Sequence, residues 1–165
     1  MLNEICYMQI KNESTKNLAV IIISILYSVL FLYTAITKLI DYDTFREQMA
    51  SSPIPSPVST FIAWSLPTFE IILAGMLIIP RWRFKSLKLS IFIMILFTIY
   101  TISLMTFSDE IPCGCGGIIA SLSRKEHIIF NCIYILLGIW AILIEKQLKK
   151  VALEEYQLIR QNHAL

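Results

Sequence analysis

Four long apolar stretches, separated by short polar segments, dominate the pattern of this chain. Residues 18–37, 89–108 and 128–144 contain no Asp, Glu, Lys or Arg, and residues 58–80 contain one charge, Glu70. A helix rises 1.5 Å per residue, so about 20 apolar residues are needed to cross a bilayer. The pattern predicts four membrane-spanning helices near residues 18–38, 58–79, 88–107 and 127–146.

The composition agrees with a membrane protein. Of 165 residues, 56% are hydrophobic and 16% are charged, whereas soluble domains are about 45–50% apolar and about 25% charged. No apolar stretch has a polar face wide enough to meet water, which argues against a soluble bundle. The predicted fold class is all-α: an integral membrane four-helix bundle with a short interfacial helix and a C-terminal cytoplasmic helix.

The polar segments also carry local signals. Thr44 and Glu47 form a capping-box pattern in a short amphipathic helix over residues 41–50, and Ser123 with Glu126 predicts that the last helix begins near Arg124. Three prolines between residues 53 and 57 favour extended backbone there. The predicted organisation is a cytoplasmic N-terminus, a transmembrane domain and a cytoplasmic amphipathic tail, at residues 1–17, 18–146 and 147–165.

Positive charges distribute unevenly between the two sides of the predicted bundle. The termini and the 80–88 segment hold ten Lys and Arg residues, and the opposite side holds four. Since cytoplasmic loops collect Lys and Arg, both termini are predicted to lie in the cytoplasm of a bacterial cell and the segment before residue 124 in the periplasm. The basic residues flank the spans, so the expected partner is the lipid bilayer and not a nucleic acid.

The run Pro-Cys-Gly-Cys-Gly-Gly at residues 112–117 brings the thiols of Cys113 and Cys115 together on that outer side. A disulfide across one residue closes a strained and therefore easily exchanged ring. A structural staple is the alternative, although closing so short a loop removes little chain entropy. A zinc site needs four ligands, and this pair with His127 supplies three, so no metal is predicted.

Further polar groups lie inside the spans. Glu70 is near the middle of its helix, where an ionisable group marks a functional site by default; it can carry a proton, bind a quinone or make a structural hydrogen bond. His127 and Asn131 share a helix face predicted to point into the bundle, and His127 can accept a thiol proton. Lys38 and Asp41 are interpreted as interfacial charges, whose spacing also permits a local ion pair. Cys132 is expected to be a small buried residue, with resolution of a mixed disulfide as the alternative.

These motifs resemble those of the MauE/DoxX redox-associated membrane proteins over residues 18–145. The resemblance rests on Lys38-Leu39-Ile40-Asp41 with Phe45, on Pro67-x-x-Glu70 with Gly75, and on the Cys-Gly-Cys run followed by His127 and Asn131.

The resemblance implies disulfide handling in the cell envelope. It assigns Cys113 and Cys115 as the exchanging pair, His127 as base or orienting group, and Glu70 as an intramembrane polar site. It also implies a thioredoxin-like periplasmic partner or a disulfide-containing client. Similar architectures in quinone-linked oxidoreductases suggest a quinone cofactor, which no residue of this chain specifies.

The leading hypothesis is a thiol–disulfide redox protein of the inner membrane, with Glu70 and Asn131 at a proton or quinone site. Two other hypotheses remain open. The first is a non-enzymatic scaffold that assembles a secreted partner, with the cysteine pair as a staple. The second is a small transporter or metal-handling protein that uses Glu70 and the thiols.

Overall fold

A computed structural model of the chain describes residues 2–50, 56–107 and 124–162. These residues form five helices and no strand, which confirms the predicted all-α class. The helices are α1 (Leu2–Ile40), α2 (Tyr42–Ala50), α3 (Ser56–Ile78), α4 (Arg83–Phe107) and α5 (Arg124–Asn162).

The four long helices pack as one bundle. Each packs against its neighbours in the chain, and α1 also packs against α5, so the ring of helices closes. The segments long and apolar enough to cross a membrane are Glu13–Ile40, Val58–Ile78, Arg83–Ser103 and Glu126–Glu154. The predicted four-helix membrane bundle is therefore confirmed. We call the end with the turn at residues 79–82 the turn end, and the opposite end, where α2 lies, the α2 end.

The helices are longer than the predicted spans. α1 already begins at Leu2 and α5 continues to Asn162, so both extend past the apolar stretches. α3 includes Pro57 in its first turn, where proline costs no hydrogen bond, and it continues through Pro67 to Ile78. The described part of α5 begins at Arg124, and Ser123 of the predicted capping pattern lies outside the described residues.

The core of the bundle is apolar and its outer surface is also apolar. Tyr27, Phe31, Leu77 and Leu87 are fully buried between the long helices. Large apolar side chains also cover the outside of all four spans, as Val29, Phe61, Phe92 and Leu136 illustrate. An apolar surface on every side suits contact with lipid rather than water.

Small hydroxyl side chains connect the helices or bond within them. The Ser28 hydroxyl on α1 donates to the Ala74 carbonyl on α3 at 2.9 Å. Ser90 and Thr98 donate to carbonyls one turn earlier in α4. Such residues allow close helix approach in membranes and keep their polar atoms satisfied.

The short helix α2 lies against the bundle through one apolar face. Phe45 and Met49 are buried together with Ala63 of α3, and Leu66 and Tyr100 pack against this cluster. The contact fixes α2 beside the ends of α1, α3 and α4.

Candidate functional site

A buried ion pair joins α1 to α3 near the α2 end. The Lys38 Nζ atom lies 2.5 Å from Glu70 Oε1, and the two side chains are 6% and 1% exposed. Glu70 was predicted to be an intramembrane polar site, and its partner is Lys38. The interpretation of Lys38 as an interfacial charge, with a possible local pair to Asp41, is wrong, because its ammonium group turns into the bundle and pairs with Glu70.

The antiparallel packing of α1 and α3 explains why these two side chains meet. A helical side chain leans toward the N-terminus of its own helix. Lys38 therefore leans from the end of α1 into the bundle, while Glu70 leans toward the α2 end. Thr34, one turn before Lys38, also lies close to the Glu70 carboxylate.

Two aromatic rings enclose the Lys38 ammonium group. The Nζ atom is 5.7 Å from the ring centroid of Phe45 on α2 and 5.4 Å from that of Phe97 on α4. A cation facing an aromatic ring gains about 0.5–2 kcal/mol, with more when water is excluded. Four helices thus contribute to one buried cation site.

One oxygen of the carboxylate has no partner among the residues that the structure describes. Glu70 Oε2 is buried and accepts no hydrogen bond from any residue that the structure describes. A buried acceptor without a partner costs roughly 1–3 kcal/mol, more when it is charged. This atom can therefore accept a proton or a hydrogen bond from a bound molecule.

His127 and Asn131 lie inside the bundle on α5, as predicted. They are 5% and 4% exposed, and His127 Nδ1 is a second buried atom without a partner within the described ranges. The Tyr27 hydroxyl of α1 donates to the Tyr134 carbonyl at 2.5 Å, which fixes the register of α1 against α5.

That register gives the depth of His127. Thr34 lies seven residues after Tyr27 on α1, and His127 lies seven residues before Tyr134 on α5. Because both helices rise equally per residue, Thr34 and His127 come to the same level. Thr34 is the residue that lies beside Glu70. By this count of residues, His127 and Asn131 are expected near the depth of the Lys38–Glu70 pair, close to the α2 end, and we call these four residues the polar layer.

The rest of the His127 face serves packing. Gly138 is buried where α5 approaches α1 and α4: a Cβ atom at this position would lie 2.5 Å from the Tyr27 hydroxyl oxygen and 2.6 Å from Ile91 Cγ1. The rings of Tyr27 and Tyr134 meet edge to face at 5.3 Å between centroids. This part of the face holds three helices together.

The predicted redox pair, Cys113 and Cys115, lies outside the described residues. In the sequence it falls between the end of α4 and the start of α5, and both of these helix ends are at the α2 end. Cys132 is exposed on the outer surface of α5, so the expectation of a buried cysteine is wrong there. Within residues 2–50, 56–107 and 124–162, no group of His, Cys, Asp and Glu is arranged to hold a metal.

Comparison with known families identifies the domain. Residues 16–144 match the family described as methylamine utilisation protein MauE. The chain belongs to the MauE family. The matched region of this MauE protein contains the whole polar layer and the Cys113–Cys115 run, and it ends before the last turns of α5. No curated protein and no solved structure matches the chain.

Sequence reasoning found three members of the MauE polar layer and assigned the fourth to another role. Glu70, His127 and Asn131 are unusual residues within apolar spans, which drew attention to them. Lys38 lies near the end of a span, where a lysine usually extends to the interface. One signal could have revealed Lys38: Glu70 is a carboxylate in the middle of a span, and no cation lies close to it in the sequence.

Proposed function

We propose that this MauE-family protein is a membrane thiol–disulfide redox protein that assists disulfide formation in envelope proteins. The proposal is carried by one observation: the Cys113–Cys115 pair falls in the segment between two helix ends that flank the polar layer. A thiol pair and a set of buried proton-binding groups at one end of a bundle suit coupled electron and proton transfer.

The proposed reaction is a dithiol–disulfide exchange. A thiolate of the client attacks one sulfur of the Cys113–Cys115 disulfide and forms a mixed disulfide. The second client thiolate then displaces that bond, so the client gains one disulfide. Cys113 and Cys115 receive two electrons and leave as two thiols after taking up two protons.

His127 is the proposed base and orienting group for this exchange. It lies in the first turns of α5, twelve residues after Cys115, and its Nδ1 atom has no partner in the described part of the chain. A buried imidazole nitrogen with a free lone pair can accept the proton of an attacking thiol.

The polar layer is the proposed site for a proton or a quinone head group. The carbonyl oxygens of a quinone accept hydrogen bonds, and the Lys38 ammonium and Asn131 amide are donors within this layer. The residues therefore fit such a group, which when bound would act as the electron acceptor. The free Glu70 Oε2 atom would hold a proton next to it.

The proposed location is the bacterial inner membrane, with both termini cytoplasmic. The asymmetry of Lys and Arg supports this orientation, which puts the cysteine segment and the α2 end on the oxidising periplasmic side. The proposed partner is a thioredoxin-like periplasmic protein or a disulfide-containing client that approaches at this end.

Acid trapping of thiols in growing cells tests the proposal. Cells are quenched, free thiols are alkylated with a mass-tagged maleimide, and the protein is separated by mass. We expect Cys113 and Cys115 to shift between reduced and oxidised states when the medium is made reducing and then restored. Cys132→Ser is the matched control, since it removes a thiol on the outer surface and should leave this shift unchanged.

A second measurement separates the redox role from that of a scaffold. Cys113→Ser and Cys115→Ser variants should each leave envelope proteins with fewer disulfides. A pair that stays oxidised under all conditions, together with unaltered envelope disulfides in the variants, would overturn the redox proposal. Recovery of a stable partner without either cysteine would then favour a membrane assembly factor.

A further inference from the structure

Two lysines from different helices meet at one aromatic ring at the turn end of the bundle. Lys88 Nζ of α4 is 4.2 Å from the ring centroid of Phe84, and Lys149 Nζ of α5 is 3.9 Å from the same centroid. Both ammonium groups are therefore held within about 8 Å of each other. Like charges at this distance repel unless an anion lies near them.

The directions of the two side chains bring their charges to one depth. Lys88 leans toward the start of α4 and thus out of the span, while Lys149 leans toward the start of α5 and thus back to the membrane. A solubilising lysine beyond the span would extend into water instead. Trp82, which is exposed beside Phe84 in sequence, is a residue typical of the head-group region.

Acidic residues only partly balance this cluster. Lys149 pairs with Glu145 at 3.4 Å. The chain contains no Asp or Glu between residues 71 and 108, although this stretch holds four basic residues: Arg81, Arg83, Lys85 and Lys88. No acidic side chain in the first turn of α4 offsets its basic residues, and the positive end of the helix dipole adds to their potential.

We propose that Lys88 and Lys149, held by Phe84, bind the phosphate of an acidic phospholipid in the groove between α4 and α5. The two ammonium groups supply charge and hydrogen-bond donors for the phosphate oxygens. The exposed apolar surfaces of both spans, such as Phe92 and Leu143, lie toward the membrane side and suit the acyl chains. This site is independent of the proposed redox function.

Fluorescence of Trp82, two residues before Phe84 in the chain, offers a readout of lipid at the turn end of the bundle. The chain has three tryptophans, and Trp64 and Trp140 are both exposed on the outer surface, so their replacement by Phe leaves Trp82 as the only emitter. The purified full-length protein is placed in phosphatidylcholine vesicles. Brominated phosphatidylglycerol or brominated phosphatidylcholine is then added, and quenching reports which lipid contacts Trp82.

We expect brominated phosphatidylglycerol to quench Trp82 at a lower mole fraction than brominated phosphatidylcholine. Since one basic residue near an acidic surface contributes about 1 kcal/mol, or about five-fold, replacing both lysines should reduce this preference by up to roughly thirty-fold. The variant is Lys88→Gln/Lys149→Gln. Phe84→Leu, which keeps every charge, should reduce the preference partly, because both ammonium groups lose the ring that orients them.

The matched control is Lys150→Gln. Lys150 is adjacent in sequence but is 79% exposed and pairs with Glu154 at 3.8 Å, away from Phe84. It should keep the preference of the parent protein. Equal loss in Lys150→Gln, or an unchanged preference in the double variant, would show that the basic residues act only as a general positive flank and would overturn the site. Complete competition by soluble glycerol phosphate would assign it to a free phosphate instead.

Discussion

Lys38 Nζ and Glu70 Oε1 lie 2.5 Å apart, in an ion pair that joins the first and third helices inside the bundle. Within a membrane, ionised side chains are rare and are found paired or facing a protein interior. This pair meets both conditions, since it is buried and Phe45 and Phe97 shield the lysine from the lipid. The Lys38–Glu70 pair therefore forms one structural unit. This unit includes the Glu70 Oε2 atom, which has no partner among the described residues.

Removing either partner should destabilise the protein strongly. Lys38→Met leaves a carboxylate buried without its cation, and Glu70→Gln leaves an ammonium group without its anion. Breaking a buried pair from one side typically costs about 3–5 kcal/mol. We expect a marked fall in the unfolding midpoint of either variant, measured by thermal unfolding in detergent and followed by circular dichroism.

The double variant Lys38→Met/Glu70→Met separates charge from packing. With both charges gone, no uncompensated ion remains, and apolar replacements of similar size often restore stability. We expect the double variant to unfold at a higher temperature than either single variant. A double variant that is less stable than both would mean that the pair does not act as a unit.

The four spans could be predicted from sequence, whereas the ion pair could not. Hydropathy reports which residues enter the bilayer, so the apolar runs reveal the spans directly. The partner of Lys38 is 32 positions away, on a helix whose rotation is set only by packing. A local rule such as the spacing of Lys38 and Asp41 contains no information about that rotation.

The lengths of the first and last helices illustrate a second limit of prediction from sequence. α1 continues from Ile40 back to Leu2 without any glycine or proline, so nothing in its backbone ends the helix at the membrane surface. Hydropathy falls at the bilayer boundary even where helical hydrogen bonding continues. The burial of His127 and Asn131, in contrast, follows from their four-residue spacing, because polar groups avoid lipid.

Gly138→Ala should weaken the contact between α5 and its neighbours. A Cβ atom there would overlap both the Tyr27 hydroxyl and the Ile91 side chain, and overpacking of this kind costs roughly 1–3 kcal/mol. We expect a lower unfolding midpoint for this variant. Gly75→Ala is the matched control, because a Cβ atom at Gly75 meets nothing within 4 Å and alanine favours the helix. Equal effects at both glycines would contradict the packing role of Gly138.

Tyr27→Phe should cost less than Gly138→Ala. The change removes the hydrogen bond from the Tyr27 hydroxyl to the Tyr134 carbonyl and leaves the ring in place against Phe31 and Tyr134. Interhelical hydrogen bonds in membranes contribute about 0.6 kcal/mol on average, up to about 1.7. We expect a small fall in stability by the same unfolding measurement. Loss of the fold would indicate that this hydroxyl supports more than one helix contact.

Cys132 should behave as a lipid-facing thiol. Its side chain is exposed on α5 beside Ile129 and Ile133, which are themselves exposed on the apolar outer surface. In vesicles, we expect a membrane-soluble maleimide such as pyrenyl maleimide to label it and a charged, membrane-impermeant maleimide to leave it unlabelled. A protein with Cys6, Cys113 and Cys115 replaced by Ser isolates this signal.

Cys132→Ala should change the free energy of unfolding by less than about 0.5 kcal/mol, as is usual for substitutions outside the core. Labelling by the charged reagent, or a large loss of stability, would show that this face of α5 meets water or another protein surface instead of lipid.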